Sequence, residues 1–367
     1  MKFPFKVKIE KRIEDLPKWM PLVTSLGAVL IAFIISGIVL YLIGSNPIRV
    51  FKYFFSAAFG SWGAFSDILV KATPLILIGL GCCLAFKMKI ISIGAEGQFF
   101  MGAFFASLVV LVPLVPLDSP KVLVLSLMAV MGIIGGALYG LIPGLLKAYF
   151  NVNVIITTLM LNYVAVYWNN YWIFGKYSDL GFQMTPTFDK VAWLPRLADM
   201  AKEIPFFSGI TLHLGVVFGL IAAVLIWLIL KYSRWGYEIT LIGDNPKAAE
   251  YAGINIKRNI ILVMVVSGAL AGLAGMSEVT GVVHRLQEEI SSNYGFSGLI
   301  VAWLAKLNPF AVIPVAILFG GLIVAGREIQ PSGLSFLIQG MILFLVISSD
   351  VLLRYKIRVT RREEEVV

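Results

Sequence analysis

The chain has 367 residues, of which 59% are hydrophobic and only 14% charged. Soluble domains run nearer a quarter charged, so this composition excludes an ordinary soluble domain and points to a chain that crosses a membrane many times. The net charge of +9 would suggest a nucleic-acid partner in a soluble protein; here the basic residues gather at the ends of apolar runs, topology accounts for them, and no nucleic acid is expected.

Residues 1–21 are basic and carry no small-residue cleavage site behind a short apolar core. They are expected as a cytoplasmic N-terminal segment. Leu22–Gly44 is long enough to span as a helix. Asn46–Ser66 is aromatic, carries Arg49 and Lys52, and suits a helix lying at the outer interface. Further spanning candidates are Asp67–Phe86, Ile91–Val112, Val122–Lys147, Asn153–Phe174, Ile210–Leu230, Asn259–Val282, Gly295–Ala305, Pro309–Ala325 and Leu334–Leu353. Crossing takes about 20 residues, so Gly295–Ala305 is too short alone and reads as a half-helix or as a core that extends into its flanks. The expected fold is all-α: a polytopic membrane helix bundle of about ten transmembrane helices spanning residues 22–353, with a cytoplasmic tail at 354–367 and both termini cytoplasmic. This orientation places 20 of the 30 Lys and Arg inside, as the positive-inside bias requires. It makes 175–209 a long outer loop and 231–258 a long inner one.

Small residues mark the packing faces. Gly132, Gly136, Gly140 and Gly144 recur every fourth residue, which strips one helix face and admits a close neighbour. Gly268 and Gly272 do the same in a later span, widened by Ala271, Ala274 and Gly275. Pro143 is expected to kink its span near the inner end. Cys82 and Cys83 are adjacent, poorly placed to bridge each other, and read as small packing residues.

The sequence contains no catalytic constellation. His213 and His284 lack cysteine or carboxylate partners at metal-ligand spacing, so no metal is expected. The P-loop pattern is absent, and the one Gly-Lys pair, Gly175-Lys176, is followed by Tyr177. No cofactor is expected, the chain is not expected to be an enzyme, and any ATP must be hydrolysed by another subunit.

Glu96 and Gln98, in Ile93-Gly94-Ala95-Glu96-Gly97-Gln98, sit between two apolar runs. A carboxylate and an amide at membrane depth are expensive to bury, and irregular backbone there is tolerated only inside protein or against a water-filled cavity. The pair is either a hinge or pathway lining, or a buried group that bonds backbone donors and fixes the bundle. A permanent charge suits a neutral solute poorly, which favours the second role for Glu96. Thr158, Asn162, Ala165 and Asn169 share one helical face. That stripe lines a path for a hydroxyl-rich solute or makes interhelical hydrogen bonds, worth about 0.6 kcal/mol on average. Tyr163, Tyr167, Tyr171 and Phe174 form a neighbouring aromatic stripe, suited to base stacking or to an interfacial belt.

In the inner loop, Asn245 precedes Pro246, a cap followed by a first-turn proline. Lys247–Ala252 then makes a short helix that Gly253 stops. An exposed short helix with small residues fits a groove on a partner, and a solvated capped turn is the alternative.

Four stretches in this order carry a resemblance. They are Ala72-Thr73-Pro74-Leu75-Ile76-Leu77-Ile78-Gly79-Leu80 running into the Ile93–Gln98 stretch; Leu159-Met160-Leu161-Asn162-Tyr163; the Gly243–Ile254 loop with Ser267–Gly275; and Gly295-Phe296-Ser297-Gly298-Leu299-Ile300-Val301-Ala302 ending in Leu307-Asn308-Pro309. Together they resemble the permease subunit of a bacterial ABC importer, in the branch of the ribose/galactose-type permease family that serves nucleosides. The resemblance covers about Asn46–Leu353. It implies a cell-membrane protein, an ATPase subunit with two nucleotide-binding halves, a second and different permease chain, and an extracytoplasmic solute-binding lipoprotein. It also implies that Gly243, Asn245, Pro246, Ala248, Ala249 and Gly253 belong to the segment that docks on the ATPase. Glu96, Gln98, Thr158, Asn162, Tyr163 and Asn169 are the candidates for the translocation pathway on the residue reading above. The chain departs from the family pattern at Lys89 and Ala305, where glycine is usual, and at Ser92, where asparagine is usual.

The expected function is therefore a nucleoside importer permease. The same machine for a simple sugar is the alternative. A stand-alone secondary transporter would leave the capped inner loop unexplained, and a membrane scaffold would leave the polar stripe unexplained.

Overall fold

The fold is described by a computed structural model, which covers residues 5–11, 17, 20–112, 114, 116, 118–201, 204–327 and 333–361. In chain order its elements are strand β1 (Phe5–Lys11) and helices α1 (Met20–Leu42), α2 (Pro47–Phe59), α3 (Trp62–Lys87), α4 (Ala95–Leu111), α5 (Lys121–Phe150), α6 (Val154–Phe174), α7 (Gly215–Tyr232), α8 (Arg234–Asp244), α9 (Pro246–Tyr251), α10 (Ile256–Glu278), α11 (Tyr294–Leu304), α12 (Pro309–Arg327) and α13 (Leu334–Arg354), then strand β2 (Tyr355–Arg361). Among the described residues, six helices are long and apolar enough to cross a membrane: α1, α3, α5, α7, α10 with its C-terminal extension, and α12. α6 is long enough, but Asn162, Asn169 and Asn170 dilute its apolar character.

The chain divides into two units. The first joins the residues up to Tyr53 to those from 330 onward. Within it α1 packs on α13. Ala28, Ala32, Ser36 and Leu40 are the buried stripe of α1, and Ile338, Ile342 and Val346 that of α13. The rest of α1 is also apolar, with Leu26, Leu30, Ile34 and Ile38 exposed, as suits a helix whose solvent is lipid. β1 and β2 form an antiparallel pair, with Phe5 opposite Arg361 and Lys11 opposite Tyr355. The sequence reading gave these basic ends no secondary structure. Their alternation of apolar and charged residues is a strand signal.

The second unit runs from Phe54 to Ile329. Its axis is α3, in which Lys71–Phe86 is wholly buried; α7, α10, α11 and α12 surround it. Beside that group α4, α5 and α10 pack backbone against backbone. A Cβ at Gly136 would strike the carbonyl oxygen of Gly268, and one at Gly272 would strike that of Gly132. Gly140 meets the Met264 carbonyl in the same way, and Gly144 faces Met264 Cβ at 3.1 Å. From the other side, Gly102 of α4 comes against Gly272, so three helix backbones converge there. Without side chains between them, close van der Waals packing replaces the hydrophobic driving force that lipid cannot provide.

Several boundaries differ from those expected. α4 starts at Ala95, because Ile91–Gly94 is not helical and Lys89 is left-handed at φ 58°. α7 starts at Gly215, because residues 209–214 belong to the preceding loop. α10 ends in a π-helical turn, Val279–Val283. α11 is a short helix, within one residue of the expected span at each end.

Candidate functional site

The non-helical stretch before α4 exposes backbone polar groups inside the bundle, and α6 satisfies them. Asn162 Nδ2 donates to the Ile93 carbonyl at 2.8 Å, and its Oδ1 accepts from Gly97 N at 2.8 Å. Thr158 Oγ1 accepts from Ile93 N at 3.1 Å and donates to the Val154 carbonyl at 2.7 Å. The approach is close: a Cβ at Gly94 would lie 2.9 Å from Thr158 Cβ, and one at Gly97 would lie 3.0 Å from Asn162 Oδ1. Glycine at 94 and 97 is therefore needed for contact rather than for a break at 97, which lies inside α4.

Glu96 sits in the first turn of α4, and its Oε2 accepts from Gly295 N in the first turn of α11 at 2.6 Å. Gln98 is buried two residues along, beside Gly140 of α5. Further along α6, Asn169 Nδ2 reaches the Gln287 carbonyl at 3.5 Å and Asn170 Nδ2 reaches Glu288 Oε1 at 3.3 Å. Thr158 and Asn162 are thus brought against the backbone on either side of Glu96, at Ile93 and Gly97, whereas Asn169 meets Gln287; these side chains make their bonds within this chain. Tyr163, Tyr167 and Tyr171 are 57%, 68% and 71% exposed, on the side of α6 away from the stripe.

The sequence reading missed a buried ion pair. Lys71 Nζ of α3 lies 2.6 Å from Glu278 Oε1 at the end of α10. Tyr294 OH of α11 donates to the same oxygen at 3.2 Å, and Lys71 Nζ lies 5.7 Å from the Tyr294 ring. The signal was available: two opposite charges inside apolar runs imply each other, because neither is tolerable alone at that depth.

A second missed cluster closes the same C-terminal end of α10, just beyond Glu278. The π-helical turn leaves carbonyls without helical partners, and the 175–214 segment supplies donors. Arg196 donates to the Gly281 carbonyl through Nε at 3.1 Å and Nη2 at 2.6 Å, and Leu194 N donates to the Thr280 carbonyl at 3.0 Å. Arg196 Nη2 also lies 2.5 Å from His284 Nε2. Arginine only donates, so Nε2 accepts and the His284 proton is on Nδ1. Trp193 stacks on the His284 ring at 3.9 Å and 9°. Burial, with the Arg196 charge nearby, pushes His213 down to about 3 and His284 down to about 4. Both rings are therefore neutral at neutral pH. Among the described residues, no group of three His, Cys, Asp or Glu is placed to hold a metal.

The α8–α9 segment is a capped unit. Gly243 lies directly against the Lys87 carbonyl at the end of α3. Asn245 ends α8 and caps α9, accepting from Lys247 N at 3.1 Å and Ala248 N at 3.2 Å, with Pro246 at the first helical position. Ala249 is fully buried, Ala248 is half-buried, and Gly253 at φ 74° reverses the chain. Glu238 of α8 accepts from Asn259 Nδ2 of α10 at 2.9 Å. Lys247, Glu250 and Tyr251 remain outward, Tyr251 being 96% exposed.

Residues 64–347 match the family described as the branched-chain amino acid transport system / permease component. The chain belongs to that permease family. It is 33% identical to a nucleoside ABC transporter permease protein of Lactococcus lactis, over 80% of each chain. It is 31% identical to a guanosine ABC transporter permease protein of Bacillus subtilis, over 89% of this chain and 93% of the relative. A glucose ABC transporter permease protein of Haloferax volcanii is 30% identical over 93% and 91%. This chain is thus a multi-pass membrane permease subunit of an ABC importer, working with a separate ATPase and a solute-binding protein. At the family's departures, Lys89 keeps a left-handed backbone without glycine, whereas Ala305 at φ −71° has no need of one. Ser92 Oγ accepts from Gly94 N at 3.3 Å.

Proposed function

We propose that this chain forms, with a second and different permease chain, the pathway of an importer for nucleosides. The observation that carries the reading is likeness over most of the chain to permeases named for nucleosides and for guanosine. The glucose permease of similar identity keeps a simple sugar as the second reading.

In this proposal, residues 22–353 form about ten transmembrane helices with both termini cytoplasmic. Pairing of β1 with β2 supports the same side for both ends, and the excess of Lys and Arg supports the cytoplasmic side. The 175–209 loop then faces an extracytoplasmic binding lipoprotein. The 231–258 loop presents α9 to an ATPase with two nucleotide-binding halves. Closure of that ATPase reaches α3 and α10 through the contacts of Gly243 and Glu238, a rigid-element mode of coupling. Glu96, Thr158 and Asn162 hold the α4–α6–α11 junction beside the pathway. Gln98, Asn169 and Tyr163 belong to the same region.

The test is ATP-dependent uptake of labelled adenosine and guanosine by the chain co-expressed with its ATPase, second permease and binding protein, with ribose as competitor. Uptake that ribose leaves intact, and that is lost when the ATPase is inactivated, is the expected result. Suppression by ribose, or uptake of ribose in place of nucleosides, would move the chain to the sugar reading.

A further inference from the structure

Three lysines from separate elements line one open cavity of about 400 Å³ at the α9 end of the bundle. Lys87 is in the last turn of α3, Lys231 in the last turn of α7, and Lys306 in the link between α11 and α12. Gly243 of α8 rests on the Lys87 carbonyl, which ties the cavity to the α8–α9 segment. No acidic side chain is among the residues that line it.

A lysine in the last turn of a helix offsets that helix's dipole, and that alone would explain Lys87 and Lys231. Two further features do not follow from it. The cavity is also lined by the first residues of α12, a 19-residue helix: Pro309 starts it, and Asn308 Oδ1 accepts from Phe310 N at 3.0 Å. A helix N-terminus is the positive end, so it adds to the lysine charge. The membrane-ward wall is aromatic. Trp227 lies one turn before Lys231, its ring 5.3 Å from that of Phe310 and 4.9 Å from Lys231 Nζ. Beyond it Leu220, Val224 and Leu228 form an exposed ridge along the same side of α7.

We propose that this cavity binds the phosphate of an anionic phospholipid from the leaflet on the α9 side, with the acyl chains lying on the α7 ridge. Basic cavities between membrane helices suit such headgroups. A free phosphate ion would use the lysines but has no use for the aromatic wall and the ridge.

The test is native mass spectrometry of the intact importer, delipidated in neutral detergent and then given phosphatidylcholine and phosphatidylglycerol. Wild type is expected to retain phosphatidylglycerol selectively, and inorganic phosphate in excess is expected to leave it bound. Each lysine changed to Gln should lower retention about fivefold, and Lys87→Gln/Lys231→Gln/Lys306→Gln about 100-fold. The triple Arg variant should retain it. Lys89→Gln/Lys147→Gln, which line a different cavity, should not differ from wild type. Melting in neutral detergent checks that the triple Gln variant is folded; if it is not, Lys231→Gln alone, at an exposed side chain, makes the same comparison. Undiminished retention in the Gln variants, or displacement of phosphatidylglycerol by inorganic phosphate, would overturn the proposal.

Discussion

The Glu96 carboxylate accepts the backbone N–H of Gly295 at 2.6 Å, joining the first turns of two helices that are distant in the chain. Gly295 has no Cβ, and one placed there would collide with the Glu96 backbone. The carboxylate and the glycine are therefore one device: the missing side chain permits the approach that the hydrogen bond uses.

Replacement of Glu96 by Gln keeps an acceptor oxygen for Gly295 N. Glu96→Gln is expected to reach the membrane normally and to keep part of the transport activity. Glu96→Ala removes the acceptor at a helix start and should destabilise by about 1 kcal/mol or more. Quantitative blots of membrane fractions beside uptake assays separate the two. Complete loss of transport in Glu96→Gln at normal abundance would show that the charge itself is needed.

The pair of Lys71 and Glu278 makes a sharper energetic contrast. Lys71→Met leaves a buried carboxylate beside Tyr294 alone, and breaking such a pair costs about 3–5 kcal/mol. Lys71→Met/Glu278→Leu removes both charges and should recover most of that stability. Melting temperatures in detergent measure both. A double variant as unstable as the single one would mean that Tyr294 and the α11 contact, rather than the uncompensated charge, dominate.

How much of this was legible in the sequence depends on range. Local signals located the elements: the Asn245-Pro246 cap and Gly253 marked α9, and the four-residue glycine repeat identified the face of α5 that meets α10. The spacing of Thr158, Asn162 and Asn169 identified the buried side of α6. Spacing along one helix could not show what that side met. Asn162 bonds to residues more than sixty positions away, and only the fold brings them together. The Arg196 clamp was illegible for a related reason: its targets are backbone carbonyls freed by a π-helical turn, and backbone acceptors leave no mark on residue identity. The strand pairing of the two ends was hidden differently, because its alternating basic residues also satisfied a topology rule.

The glycine faces predict a contrast within one residue type. Gly272→Leu would force α10 away from both α5 and α4 and should abolish stable accumulation in the membrane. Gly27 of α1 has nothing within 4 Å of where a Cβ would stand. Gly27→Ala should therefore be neutral or stabilising by up to about 1 kcal/mol. Membrane abundance and melting temperature of the two variants test the assignment of close approach to α5–α10 rather than to glycine in general.

Acid should weaken the clamp on the end of α10. His213 and His284 are pushed down to about 3 and about 4 in the fold, below the ordinary value near 6.5. The unfolded chain therefore binds more protons, and stability rises with pH. Their contribution is full above about pH 6.5 and is lost progressively as pH falls through the range down to the folded values. Most carboxylates protonate below about pH 5, so the difference in melting between wild type and the double histidine variant from pH 7 to pH 5 reads the histidine contribution. His213→Gln/His284→Gln should flatten that part of the profile. An unchanged slope would assign the acid sensitivity elsewhere.

The exposed side of α9 yields the prediction closest to function. Tyr251 is almost fully exposed while Ala249, two residues before it, is fully buried. Tyr251→Ala should leave the melting temperature of the chain unchanged and reduce ATPase co-purification by about tenfold or more, as truncating an aromatic anchor at an interface does. Asn245→Ala removes the cap and should weaken α9 by about 1 kcal/mol, lowering coupling through disorder of the helix rather than through a lost contact. Co-purification of the ATPase, with hydrolysis and uptake measured in the same preparation, distinguishes them. If Tyr251→Ala holds the ATPase as tightly as wild type and transports at the same rate, the docking surface is not the outer side of α9, and the contacts of Gly243 with α3 serve only to hold the loop.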